Sequence, residues 1–270
     1  MKDDHLLLKL LATALGAGFL VMFVFSAFPQ VDLTISSLFL GADGQFAASD
    51  SFAARLSMTI KRLLEGLTAA IILTTITLAI LVRRPLSGLT NWIFLSANLV
   101  LAPGLLVNGV LKAHFGRARP AQTVEFGGNA QFTSVAEVTD QCSANCSFTS
   151  GEAALAATVV FALVALLWPR FGRRGRIVML IAGGALVILA SGLRVGLGRH
   201  FTSDVLMSVV FSALIAIGLY HFLKIGASGQ TFGFAAFKKD LAAIGSRFAR
   251  KRLPKDTTSA GDQPSKTGRS

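Results

Sequence analysis

Six apolar runs, each near the length that crosses a lipid bilayer, dominate this sequence. They fall at approximately 6–28, 67–82, 89–111, 153–168, 177–193 and 205–223. A bilayer's hydrocarbon core is about 30 Å thick, which an α-helix crosses in roughly 20 residues. The runs at 67–82 and 153–168 are short as drawn, and Leu63 and Leu64 extend the first of them. Backbone amides in hydrocarbon find no water, so each run has to bond internally as a helix. Only 15% of residues are charged, against roughly a quarter in soluble domains. The expected fold class is therefore all-α, an integral membrane bundle of six transmembrane helices, with no internal repeat.

The charges between the runs orient them. Lys2 and Lys9, Arg83 and Arg84, Arg170 to Arg176, and Lys224 with the tail share one side when all six runs span. Basic excess marks the cytoplasmic side, so both termini are expected there, with connections 29–66, 112–152 and 194–204 outside. This bias accounts for the net charge of +12, so nucleic acid is not expected as a partner. The first run lacks a small-x-small cleavage site, and its loss would undo the charge alternation; it is read as a retained anchor rather than a signal peptide. Connection 29–66 mixes apolar and polar residues and is expected to lie on the outer membrane surface as an interfacial periplasmic segment. Residues 1–225 form the membrane domain. In 226–255, Phe234, Phe237, Leu241, Ile244 and Phe248 recur every three or four residues among lysines and arginines, an amphipathic cytoplasmic helix on the lipid or on the bundle. Residues 256–270 are polar without apolar period and read as a disordered tail.

Basic residues on the outer side run against the orientation bias and need a bound anion to explain them. Lys112, Arg119 and Arg194 offer a point charge and two forked donors to phosphate oxygens. Ser150 and Gly151 open the fourth run, where the free N–H groups of a helix start make an anion cradle. His200 has the chemistry of a nucleophile or acid–base group, and Asp204, one turn on, is placed to bond one ring nitrogen and leave the other to attack. The rival reading of Arg194, His200 and Asp204 is an interfacial anchor cluster without catalysis.

Taken together, Lys112-x6-Arg119-Pro120, Ser150-Gly151 and Arg194-x5-His200-x3-Asp204 resemble the three-part signature of the type 2 phosphatidic acid phosphatase superfamily. The resemblance spans 112–204. It implies a six-helix bundle with an outward-facing site, no metal or other cofactor, and a phosphorylated membrane lipid as substrate. By the same resemblance His200 is the nucleophile that forms a phosphohistidine, and Asp204 orients it. Lys112, Arg119, Ser150, Gly151 and Arg194 bind the phosphoryl group.

One position departs from the pattern: Glu152 stands where the family has a histidine that protonates the departing lipid oxygen. Glu152 acts as that acid only with a raised pKa; otherwise the leaving group needs little help, or His114 supplies the imidazole. The Ser-Gly-Glu form resembles bacterial lipid A phosphatases, which implies a hydrolase of the bacterial inner membrane with a periplasmic active site. Undecaprenyl diphosphate, phosphatidylglycerol phosphate, and a phosphotransferase using the same intermediate remain open. So does an anionic-lipid binder or transporter without catalysis, which would need no His200–Asp204 pair. Cys142 and Cys146 form either a disulfide on the oxidising side, a metal pair or two free thiols; no further ligands lie nearby in sequence, which favours the disulfide.

Overall fold

The computed structural model describes residues 2–48, 50–81 and 88–225. The expected amphipathic segment 226–255 and the tail 256–270 lie outside the described residues. Helix α1 (Lys2–Ala27) leads through Pro29 into a short α2 (Gln30–Ser37), followed by α3 (Phe52–Leu81). Helix α4 (Leu89–Leu99) continues as a π-helix (Val100–Leu111) and a final turn, Lys112–His114. A long connection with two single 3₁₀ turns then reaches α5 (Gly151–Leu167), α6 (Arg173–Gly196) and α7 (Thr202–Phe222). Among the described residues there is no β-strand, and six helices are long and apolar enough to cross a membrane. The chain is a multi-pass membrane protein.

Helix α5 is the hub. It is apolar on every side, and it packs against α4, α6 and α7. Ala153, Ala154, Ala156, Ala157 and Ala162 are all buried on it, and such small side chains let helix backbones approach closely where lipid supplies no hydrophobic drive. Its Leu155, Val159 and Leu166 enter a cluster with Phe94, Leu95 and Leu99 of α4. Helix α1 packs on α7 and α3 on α4 and α6. Outward faces carry exposed apolar residues such as Phe19 and Ile188, each 74% exposed, as a lipid-facing surface requires.

Two expectations change. The second span begins at Phe52, far before residue 67, because Lys61, Arg62 and Glu65 interrupt its apolar run without interrupting the helix. The outer connection is correspondingly shorter. Its α2 does more than rest on a surface: Asp32 and Ser36 are fully buried, and α2 packs on α7.

The connection between α4 and α5 depends on glycine at Gly116, whose φ is +64°. A Cβ there would lie 1.6 Å from the Thr139 carbonyl oxygen, while the Phe115 carbonyl accepts from the Thr139 N–H at 3.0 Å. Gly116→Ala is expected to cost more than about 1 kcal/mol, read as a lower Tm in detergent.

Candidate active site

The C-terminal ends of the π-helix and α6 and the starts of α5 and α7 converge on one site, and local sequence explains each end. Helix α5 starts because Ser150, in extended conformation, caps it by accepting the Ala153 N–H at 3.3 Å. Gly151 packs so closely on Asn108 of the π-helix that a Cβ would lie 2.9 Å from its Oδ1. Gly198, at φ +60°, turns the chain between α6 and α7 and sets His200 between them. Asp204 caps α7 by accepting the Phe201 N–H at 2.9 Å.

Beneath the site, Arg117 is completely buried. Its Nη1 donates to Asp204 Oδ1 at 2.6 Å and to Ser203 Oγ at 2.8 Å, and Nη2 donates to Asp32 Oδ2 at 3.0 Å. Its Nε donates to the Thr133 carbonyl at 3.0 Å, and its guanidinium lies 4.4 Å over the Phe201 ring. Two carboxylates against one guanidinium leave a negative charge, which the N-terminus of α7 meets: Asp32 Oδ1 also accepts the Ser203 N–H at 2.9 Å. Burial raises the Asp32 pKa, against the pull of Arg117.

His200 is also fully buried, and the expected bond to Asp204 is not made. Its Nδ1 lies 2.7 Å from the Ser147 carbonyl, which can only accept, so Nδ1 carries the proton. Asp204 acts at one remove: Ser147 Oγ donates to Asp204 Oδ2 at 2.5 Å, and the Ser147 N–H donates to the Arg117 carbonyl at 2.8 Å. Asp204 thus fixes Ser147, and Ser147 fixes the ring. Among the described residues no group bonds Nε2, whose lone pair is left for chemistry. Burial, then Arg194 and Lys112, hold the His200 pKa well below 6.5, so the ring is neutral at pH 7.

A cavity of about 990 Å³ opens among these helix ends. Lys112, Arg119, Gly151, Glu152 and Arg194 line it, whereas His200 and Ser150 are fully buried and are not among its lining residues. The cavity continues along α3 to Ile72 and along the π-helix to Leu99, so a polar mouth leads into an apolar groove. Burial and the neighbouring Arg194 and Arg199 lower the Arg119 pKa, against the pull of Glu152. Cys142 and Cys146 are joined in a disulfide with Cα atoms 5.6 Å apart. Within that small loop Asn145 takes a left-handed backbone; its carbonyl accepts from Arg119 Nη2 at 2.7 Å, and its Oδ1 faces Lys112 Nζ at 3.4 Å.

Glu152 faces a cation at each oxygen: Lys61 Nζ lies 3.7 Å from Oε1 and Arg194 Nε 3.5 Å from Oε2. A carboxylate paired in this way has no proton to give, which removes one explanation for its place in the signature. His114 is exposed, with Nδ1 2.7 Å from the Val110 carbonyl, and it does not line the cavity. Motif reading missed Asp32, Lys61, Asn145 and Ser147 and gave Arg117 no task. Asp32 and Lys61 had a signal: each is a charge beside or within an apolar run.

Residues 93–225 match the family model described as the PAP2 superfamily. This stretch is a PAP2-superfamily domain. Curated relatives of the chain include a lipid A 4'-phosphatase of Rhizobium leguminosarum, 42% identical over 125 residues that make up 44% of this chain and 52% of the relative. The lipid A 4'-phosphatase of Francisella tularensis subsp. novicida is 36% identical over 119 residues, 44% of this chain and 51% of the relative. The chain therefore spans about half the length of the curated relatives it matches. A PAP2-type phosphatidylglycerolphosphate phosphatase from Bacillus subtilis shares the fold with a TM-score of 0.51 at 20% identity, over 78% of this chain and 94% of that one.

Two predictions arise from this PAP2 site. His200 has a folded pKa below its unfolded value of 6.5, so its contribution to stability is complete above pH 6.5 and is lost as pH falls below it. The Tm of the wild type relative to His200→Asn is expected to decline from pH 7.5 to 5, at no more than about 1.4 kcal/mol per pH unit. Replacing both Cys142 and Cys146 with serine is expected to release Asn145 from Arg119. The KM for a phosphorylated substrate then rises roughly tenfold, equivalent to one hydrogen bond of about 1.4 kcal/mol, with a smaller change in kcat.

Proposed function

We propose that this protein is a lipid phosphatase that acts at the periplasmic face of a bacterial inner membrane, with lipid A as its substrate. The observation that carries this reading is the neutral, positioned His200 with an unbonded Nε2 beneath Lys112, Arg119 and Arg194. Nε2 attacks phosphorus, the bond to the lipid oxygen breaks, and a phosphohistidine forms; water then attacks phosphorus and releases inorganic phosphate. Charge on the transferring phosphoryl oxygens is met by the three cations and by the helix start at Ser150 and Gly151. The buried Asp204–Ser147 link holds the ring throughout.

The lipid A assignment is supported by the curated relatives, which are lipid A 4'-phosphatases, together with the cavity's shape, a charged mouth over an apolar groove. The outward orientation is supported by the basic residues at the opposite helix ends, Arg170, Arg173, Arg174 and Arg176. The test is phosphate release by purified protein in detergent from lipid A, undecaprenyl diphosphate and phosphatidylglycerol phosphate. Wild type is expected to release phosphate from lipid A, and His200→Ala to release none. Turnover by His200→Ala would remove the nucleophile, and release from another lipid alone would replace the substrate.

A further inference from the structure

A phosphoryl transfer runs in line, with the leaving oxygen opposite the attacking atom. His200 is fully buried and is not among the cavity's lining residues, so with the lipid in the cavity and Nε2 attacking, the departing oxygen is taken to lie on the cavity side. An alkoxide leaves slowly without a proton, and a positioned acid is worth about 100-fold or more. The cavity lining holds few groups able to supply one. Guanidinium groups, here Arg55, Arg62, Arg119, Arg194 and Arg199, are poor proton donors. Glu152 is ion-paired through both oxygens, and Glu65, which also lines the cavity, is paired with Lys61. Lys112 belongs with the phosphate-binding cations, steadied by Asn145.

Lys61 remains. It is half-buried on α3, across the cavity from α5 and α6, and none of the motifs includes it. Its Nζ sits between two carboxylates, 3.7 Å from Glu152 Oε1 and 3.8 Å from Glu65 Oε1. Glu152 holds it toward the phosphate-binding cations, and Glu65, a turn further along α3 and half-exposed, pairs with it from the same helix. From these positions we propose that Lys61 is the catalytic acid for the departing lipid oxygen, and that Glu152 positions it. As the Nε2–phosphorus bond forms and the phosphorus–oxygen bond breaks, a proton passes from Lys61 Nζ to the lipid oxygen, which leaves as an alcohol. In the second step the neutral amine takes a proton from the attacking water, and the ammonium is restored. Glu152 is thus not a substitute acid but the anion that keeps a lysine in place.

This inference rests on the phosphatase reading, and arginine separates charge from proton. Lys61→Arg keeps the cation beside Glu152 but has no proton to give. With lipid A in detergent micelles, Lys61→Arg and Lys61→Ala are both expected to lower kcat about 100-fold, with KM moved far less in the arginine variant. Methylammonium is expected to restore Lys61→Ala at least tenfold, and guanidinium is not. Lys61→Arg within threefold of wild type overturns the proposal. So does a Lys61→Ala that neither cation rescues, or that guanidinium rescues equally. A wild type inert toward lipid A overturns the phosphatase reading with that substrate, and this assignment with it; an active wild type with an unaffected Lys61→Arg overturns only the acid.

Discussion

The ion pairs of Arg117 organise the end of this molecule that carries the candidate site. One guanidinium, wholly out of water, joins α2 through Asp32, α7 through Asp204 and the long α4–α5 connection through its own backbone. Removing a charge from water costs several kcal/mol, so the arrangement stands only because nearly every polar atom is met. Ser203, Ser147, the Thr133 carbonyl and the start of α7 complete the set. Breaking one partner would leave the others charged and unpaired, which makes the network all-or-none. Ser147 is bonded at both its N–H and its hydroxyl within that network, and the carbonyl between them positions His200. The ring's tautomer is therefore set by a salt bridge it does not touch.

Around this anchor the membrane domain separates two environments. Alanine-lined α5 packs tightly at the centre, and the lipid-facing helices α1 and α6 present bulky apolar residues outward. Charge collects where the helices end on one side. Seven cations, Arg55, Lys61, Arg62, Lys112, Arg119, Arg194 and Arg199, line a single cavity with Glu65 and Glu152, and Glu152 pairs with Lys61 and Arg194. A phosphoryl group would take over the cations that Glu152 now satisfies, a competition for partners rather than a creation of new ones.

Helix existence and the phosphate signature were legible because each depends on local spacing. A span needs about twenty apolar residues in sequence, and the pairs Lys112 to Arg119 and Arg194 to His200 lie within single short segments. The start of α3 was not legible, because Lys61, Arg62 and Glu65 look like the edge of a loop until the cavity gives them a place. The link between His200 and Asp204 was misread for a related reason. Four residues apart suggested contact along a helix, yet α7 begins at Thr202, and His200 precedes it. Its ring turns instead to Ser147, fifty-three positions away in sequence.

By itself the sequence determined that this chain is a six-span membrane bundle and which charged residues stand between its spans. Apolar length and charge asymmetry act on each segment separately, so no folding was needed to read them. Only the tertiary structure decided what each charge faces: Arg117 between Asp32 and Asp204, His200 on a backbone carbonyl, Glu152 between Lys61 and Arg194. A buried charge is defined by its partners, and those partners come from helices far apart in the chain.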